Sequence, residues 1–235
     1  MAKSVAMPHT TSPAAQDYLK TIYILATDEA GEADARSSGV STSAVAARLG
    51  VSSASATNML KRLDSMSLLT YARYRGVALT DAGRKIALEV IRHHRLLETY
   101  LAEALGVPWD EVHKEAEILE HVLSEDLEER IATLLGDPSF DPHGHPIPSK
   151  DLTMPEPAAR RLWDAIEGER TQVQSVSDEE SEVLRYLGGL GIKPGCDVEI
   201  VGRGPVAGPL FVRVPDASRT VQALSKELAE VVWVA

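Results

Sequence analysis

Apolar residues first recur at helical spacing after Pro13, where Tyr18, Leu19, Ile22, Tyr23 and Leu25 mark one face of a helix. Residues 1 to 12 carry no such pattern and read as a mobile tail. The periodicity stops at DEAGEADARSSG (Asp28 to Gly39), which reads as a polar loop longer than most connections. Two short helical patterns follow in STSAVAARLGVSSASATNMLKRLDSMSLL. Ser41 or Thr42 can cap the first, which carries Val45, Ala46 and Leu49 inward. Gly50 breaks it, Val51 packs the turn, and Ser52 or Ser53 caps a second helix with Ala56, Met59, Leu60 and Leu63 inward. Two helices about a glycine turn of this length predict a helix-turn-helix. The next run, LLTYARYRGVALT, has two β-prone pieces around Arg75-Gly76, the pattern of a hairpin wing.

Thr80 is placed to cap a long helix from about Asp81 to Leu105, and Gly106 and Pro108 interrupt the pattern. A second amphipathic helix runs towards Ser124, and a third, Glu125 to Leu135, carries Leu127, Ile131, Leu134 and Leu135. Apolar faces on so small and acidic a unit suggest a dimer interface. GDPSFDPHGHPIPSKDLTMPEPAAR is Pro-rich and marks a boundary. From Thr171 the pattern turns β in TQVQSV, DVEIVG, GPLFVRV and EVVWVA, with a helix near Ser177 to Leu190, which predicts a small SH3-like barrel. The expected fold is mainly α with small β parts. Its segments are a winged helix-turn-helix (1–80), a helical metal-binding and dimerisation domain (81–148), a Pro-rich linker (149–170) and the SH3-like domain (171–235).

The helices after Thr80 carry more than a core pattern. His94 and Glu98, four apart, stack about 40° apart around the first helix axis. On the second, His113, Glu117, Glu120 and His121 lie at relative angles of roughly 0°, 40°, −20° and 80°. Imidazoles beside carboxylates suit a divalent cation such as Mn²⁺, Fe²⁺ or Zn²⁺. A charged, solvated helix face is the ordinary alternative for one such helix; two adjacent helices with the same composition weigh against it. Asp17, in the first turns of the first helix, is ordinarily explained by the helix dipole.

On the predicted recognition helix, Ser53, Ser55, Thr57, Asn58, Lys61 and Arg62 face outward, short polar and basic groups able to enter a major groove. Arg73 and Arg75 near the wing tip suit phosphates or the minor groove. The formal charge of −11 argues superficially against nucleic acid. Its distribution reverses that argument: bases outnumber acids from Arg48 to Arg95, and acids dominate from Leu96 to Glu169. The single cysteine, Cys196, excludes an internal disulfide framework and any thiolate cluster within one chain. No apolar run approaches a membrane span, and MAKSVAMPHTTSPAA lacks the hydrophobic core of a secretion signal, so a cytoplasmic protein without membrane partners is expected.

The run VHKEAEILEHVLSEDLEERI followed by DPHGHPIP, together with the DYLKTIY helix, resembles the metal-activated repressors related to the diphtheria toxin repressor. The resemblance extends over nearly the whole chain and implies a winged helix-turn-helix, dimerisation helices and a C-terminal SH3-like (FeoA-like) domain. It implies a primary metal site of Asp17, Glu117, Glu120 and His121, with His94 shared or nearby. It implies an ancillary site of His94 or His113, Glu98 and a carboxylate from the SH3-like domain, for which Glu180 aligns best; Asp141 and His143 of the DPHG segment are alternatives. The iron-responsive branch has Met and Cys where this chain has Asp17 and Glu117, so the resemblance points to the manganese-responsive branch. Lys20 stands where two-domain manganese regulators have a Glu of a binuclear site. The reading is therefore a homodimeric, Mn²⁺-activated repressor that binds double-stranded operator DNA of metal-uptake genes, with an Fe²⁺-responsive regulator as the rival. A metal-dependent hydrolase is a remote third reading, since no HExxH occurs.

Overall fold

A computed structural model of the chain describes residues 11–34, 39–72, 76–155, 159–206, 208–215 and 218–235. It divides into two compact units, one of residues up to Arg92 with Lys150–Met154, the other of His93–Ser149 with Pro155–Ala235. No helix among the described residues is long and apolar enough to cross a membrane.

The first unit contains α1 (Pro13–Asp34), α2 (Thr42–Arg48), α3 (Ser53–Ser65), the hairpin β1 (Leu69–Ala72) and β2 (Gly76–Leu79), and the first half of α4 (Asp81–Glu103). Leu19, Ile22, Val45, Leu60, Leu63, Val77 and Ile91 form its core. Helix α1 continues to Asp34, so the loop expected from Asp28 is helical at its start. Ala and Glu in DEAGEAD are good helix formers, and the one Gly costs only about 1 kcal/mol. The segment lacks large apolar residues, which removed the periodic signal but not the helix. Ser41 caps α2, its Oγ accepting from Ala44 N at 3.1 Å, and Ser52 caps α3 by accepting from Ser55 N at 3.1 Å. Thr80 Oγ1 accepts from Gly83 N at 3.2 Å at the start of α4. The wing is antiparallel, Leu69 opposite Leu79, and Tyr71 N donates to Asp64 Oδ1 of α3 at 3.1 Å. Gly76 is required there: its φ is +82° and a Cβ would run into the Val40 carbonyl.

The helical part of the second unit comprises the rest of α4, α5 (Val112–Leu119) and α6 (Glu125–Leu134) around Leu96, Leu97, Leu101, Val112, Ala116, Leu123 and Ile131. Helix α5 ends one residue before Glu120, so Glu120 and His121 stand in the turn that Ser124 closes by capping α6, not on the helical strip the spacing predicted. His93 spans that turn, with Nδ1 3.2 Å from the Glu120 carbonyl and Nε2 3.3 Å from Glu128 Oε2. Ile118, Val122, Leu127 and Leu134 are exposed.

The β part contains β3 (Arg160–Arg161), a 3-10 turn (Leu162–Asp164), β4 (Arg170–Val176), α7 (Ser181–Gly189), β5 (Asp197–Arg203), β6 (Leu210–Val214), β7 (Ser218–Leu224), α8 (Lys226–Glu230) and β8 (Val232–Val234). Its strands form one antiparallel sheet in the order β3-β8-β4-β5-β6-β7. Register shifts in three of its pairings bend it around Val173, Leu184, Leu187, Ile200 and Val212. The segment expected as linker from 149 to 170 is linker only in part. Arg160 and Arg161 pair with β8, Leu162 is fully buried in the β core, and Leu152 and Met154 pack on the core of the first unit. Strand β7 escaped the sequence reading because SRTVQAL alternates weakly, and it holds its place through pairing with β6.

Candidate metal centre and nucleic-acid interface

Helix α4 puts His94 and Glu98 one turn apart, with His94 Nε2 3.0 Å from Glu98 Oε1. Helix α5 brings His113, whose Nδ1 lies 3.1 Å from His94 Nε2 and 3.2 Å from Glu98 Oε1. The fourth member is Asp178, with Oδ2 3.4 Å from His113 Nδ1. It follows directly on the buried end of β4, whereas Glu180, the carboxylate expected here, is exposed at the start of α7. Glu180 joins none of the ligand groups among the described residues; the strand end fixes Asp178 inward and the chain turns out two residues later. Glu98 was among the expected acids and Asp178 was not; the one signal for Asp178 was its position just after the strand.

A second group is continuous with the first. Asp141 Oδ1 accepts from the backbone N–H groups of His143 (2.8 Å) and His145 (3.0 Å), which folds DPHGH into a tight turn. Val176 N donates to the His143 carbonyl, and Gly144, at φ +84°, lies so close to β4 that a Cβ would meet the Gln174 carbonyl. His143 Nε2 is 2.7 Å from the Trp109 carbonyl, which directs Nδ1 to Glu98 Oε2 at 3.6 Å. Arg95 Nη1 donates to Pro146 O at 2.5 Å and steadies the same loop. His145 and Trp109 were not among the expected site residues.

Glu117 and Glu120 approach His94 from its other ring nitrogen: Glu120 hydrogen-bonds Nδ1, and Glu117 Oε1 is 4.0 Å away. Glu120 is buried, Glu117 is exposed, and His121 Nε2 is 3.5 Å from Glu120 Oε1. Asp17 is half-buried in the first turns of α1, within the first unit.

Charge balance explains how so many ionisable groups tolerate burial. Burial alone would raise the pKa of Glu98, yet the charge of His94, hydrogen bonds with His113 and His94 and the nearby His143 hold it well below the carboxylate range. Burial likewise opposes ionisation of Asp178, but His145 and His113 lower its pKa. Burial depresses His113, and the hydrogen bonds to Asp178 and Glu98 outweigh it, carrying its pKa up to about 10. His143 rises to about 9 against burial through Glu98, and His145 rises against burial through Asp141 and Asp178. Without metal, imidazolium charge compensates the carboxylates. A divalent ion would supply that charge and release protons. The donors are all imidazole nitrogens and carboxylate oxygens, and most are buried. Glu98 Oε2, Asp141 Oδ2, His143 Nδ1 and His145 Nδ1 are buried without a hydrogen-bond partner. These residues fit a hard or borderline divalent cation.

On α3, Asn58, Lys61 and Arg62 are exposed, as a groove-reading face requires. The hydroxyls beside them are partly committed to the helix itself. Ser52 Oγ caps it and donates to Ser55 Oγ at 3.0 Å, and Thr57 Oγ1 donates to Ser53 O at 2.7 Å. Arg73 and Arg75 lie outside the described residues.

This architecture matches known proteins along its length. Residues 10–77 match the iron dependent repressor N-terminal DNA binding domain, 80–149 its metal binding and dimerisation domain, and 160–235 the FeoA domain. The diphtheria toxin repressor of Corynebacterium diphtheriae is 32% identical over 196 residues, which cover 79% of this chain and 83% of that protein. The chain belongs to the diphtheria toxin repressor family. Members of this family are metal-dependent transcriptional repressors, not enzymes, which removes the hydrolase reading. The iron-dependent repressor IdeR of Mycobacterium tuberculosis is 40% identical over 144 residues, spanning 60% of this chain and 59% of its own length. Among solved structures, a manganese-dependent transcriptional repressor in complex with manganese superposes with a TM-score of 0.85 at 39% identity, over 94% of this chain and 99% of that one. ScaR with bound Cd²⁺ gives 0.79 at 30% identity, over 94% and 98%. The fold is that of the family: helical DNA-binding and dimerisation parts with a C-terminal SH3-like FeoA sheet.

Proposed function

We propose that this family member is a Mn²⁺-activated repressor that binds operator DNA of metal-uptake genes as a homodimer in the cytoplasm. The observation that carries the reading is the donor set. Every cluster among the described residues offers only carboxylate and imidazole groups, and Cys196 packs against the β core instead. Mn²⁺ sits lowest in the affinity order and is favoured by hard oxygen donors, whereas a thiolate would favour Zn²⁺ and its neighbours. The likeness to manganese-dependent repressors supports the same choice. Fe²⁺ is the second reading, favoured by the 40% identity to IdeR and by the affinity of imidazole and carboxylate for that ion.

Following the family resemblance, Asp17, Glu117, Glu120 and His121 are assigned to the ion that activates DNA binding. Asn58, Lys61 and Arg62 are assigned to DNA, together with Ser52, Ser55 and Thr57 and, on the wing, Arg73 and Arg75. The apolar residues Ile118, Val122, Leu127 and Leu134 are assigned to the dimer contact, and the metal contributes charge compensation that shifts the population towards the DNA-binding form. The test is affinity of the full chain for DNA selected in vitro, measured without metal and with Mn²⁺, anaerobic Fe²⁺ and Zn²⁺. Mn²⁺ should give the largest gain, and Asp17→Asn should reduce that gain at least tenfold, about 1.4 kcal/mol. A larger gain with Fe²⁺ would establish the iron reading, and an undiminished gain in Asp17→Asn would remove Asp17 from the switch.

A further inference from the structure

Two successive residues of α4 hold the two ends of one glutamate. His94 hydrogen-bonds the Glu120 carboxylate through Nδ1, and His93 Nδ1 lies 3.2 Å from the Glu120 backbone carbonyl. His94 belongs to two of the clustered donor groups, and His93 to none among the described residues. We propose that His93 is a positioning residue: it fixes the backbone of the turn that presents Glu120 and His121. The inference rests on the assignment of those two residues to the activating ion and adds to it the side chain that holds them in place.

Three observations carry it. First, the carbonyl needs a donor that its own helix cannot give. Helix α5 stops at Leu119, and Glu120 stands at its C-terminal cap with φ −57° and ψ −29°. The chain leaves the helical path in the following turn, so no amide one helical turn further on is there to bond this carbonyl. His93 Nδ1 donates to it from a different helix. Second, His93 serves oxygen on both sides of its ring. It is 3% exposed, and while Nδ1 meets the carbonyl, Nε2 lies 3.3 Å from Glu128 Oε2 of α6. An apolar side chain would fill the same space and leave both oxygens unserved. A carboxylate in the first turn of a helix is ordinarily explained by the helix dipole. Asp126 fits that account, with a side chain 80% exposed beside Arg130, whereas the Glu128 side chain is only 13% exposed and meets His93. Third, the two grips come from different directions, because neighbouring side chains on a helix diverge by about 100°. With its carbonyl and its carboxylate both held, Glu120 loses the freedom to rotate between them. Its buried carboxylate is then in place before an ion arrives, which lowers the ordering cost of binding. Groups that orient metal ligands in this way are typically worth about ten- to a hundredfold in metal affinity.

The experiment measures Mn²⁺ binding to the full-length protein by equilibrium dialysis, with DNA affinity followed in parallel as Mn²⁺ is raised. His93→Asn sets an amide N–H close to the place of Nδ1, and His93→Gln sets one close to the place of Nε2. The pair therefore separates the bond to the carbonyl from the contact with Glu128. His93→Gln should bind Mn²⁺ about ten- to a hundredfold more weakly at unchanged stoichiometry. It should need correspondingly more Mn²⁺ for half the DNA response and reach the wild-type DNA affinity at saturation. His93→Asn should restore tight Mn²⁺ binding even where it melts as low in chelator as His93→Gln. Unchanged Mn²⁺ affinity in His93→Gln would overturn the proposal, and so would an equal loss in both variants, the mark of a merely structural residue. Should neither variant fold, nitrogen NMR of the histidine-labelled wild type in chelator decides. A proton on His93 Nδ1 is required, and its absence overturns the proposal. Glu120→Gln tests the underlying assignment. If it binds Mn²⁺ like wild type, Glu120 is no ligand and both readings fall; if it binds weakly while His93→Gln does not, the inference about His93 falls alone.

Discussion

His113 shows what a single side chain contributes to the metal-free protein. Burial disfavours its charge, but Asp178 and Glu98 hold it protonated up to a pKa of about 10, and Glu98 does the same for His143 up to about 9. Both values are raised above the ordinary 6.5, so the stabilisation from these ion pairs is fully present below about pH 6.5. It is lost as pH rises through 9 to 10. Glu98 and Asp178, lowered, contribute stability above the ordinary carboxylate range and lose it only in strong acid. In chelator the melting temperature should therefore fall steadily from pH 6.5 towards pH 10, and His113→Gln should flatten the slope. Metal competes with the same protons, so the rise in melting temperature on adding Mn²⁺ should grow over that range. A metal-free protein whose melting is indifferent to pH there would show that the imidazoles are not the charges that balance the buried acids.

Among the elements, the turn DPHGH and strand β4 act as one piece. Val176 N bonds the His143 carbonyl, and the missing side chain of Gly144 lets the turn lie against Gln174. Gly144→Ala must relieve both a φ of +84° and a clash with backbone, a cost of about 1–3 kcal/mol. The damage should be local and directional. The melting temperature in chelator should drop modestly, and the increment produced by Mn²⁺ should shrink more, because His143 and His145 move with the turn. Calorimetric melting with and without the ion measures both; an undiminished Mn²⁺ increment would detach the turn from the metal centre. The same logic explains α5, where the structure departs from the helical strip that the spacing predicts. A helical strip through His121 requires the helix to continue, but Ser124 caps the next helix and His93 grips the Glu120 carbonyl, so Glu120 is delivered by a turn.

For the whole molecule, the exposed apolar residues of α5 and α6 and the turn between them are the test of assembly. Ile118, Val122 and Leu134 are each more than two-thirds exposed in the single chain, more apolar surface than a small acidic unit keeps in water without a partner. Ile118→Glu with Leu134→Glu should yield a folded monomer by sedimentation that still takes up Mn²⁺ but loses high-affinity binding to two-half-site DNA. A dimer of unchanged stability would place the interface elsewhere. The sequence alone determined the winged helix-turn-helix, its capping serines and the His94–Glu98 pair, because each depends on neighbours within a few residues of the chain. Only the tertiary structure decided that Asp178 and not Glu180 joins His94, Glu98 and His113, and that Glu98 faces both histidine sets. Spacing constrains side chains on one helix turn or one strand face. Which carboxylate arrives from a distant strand is set by where β4 ends and where the chain turns away from the core, and no local pattern records that.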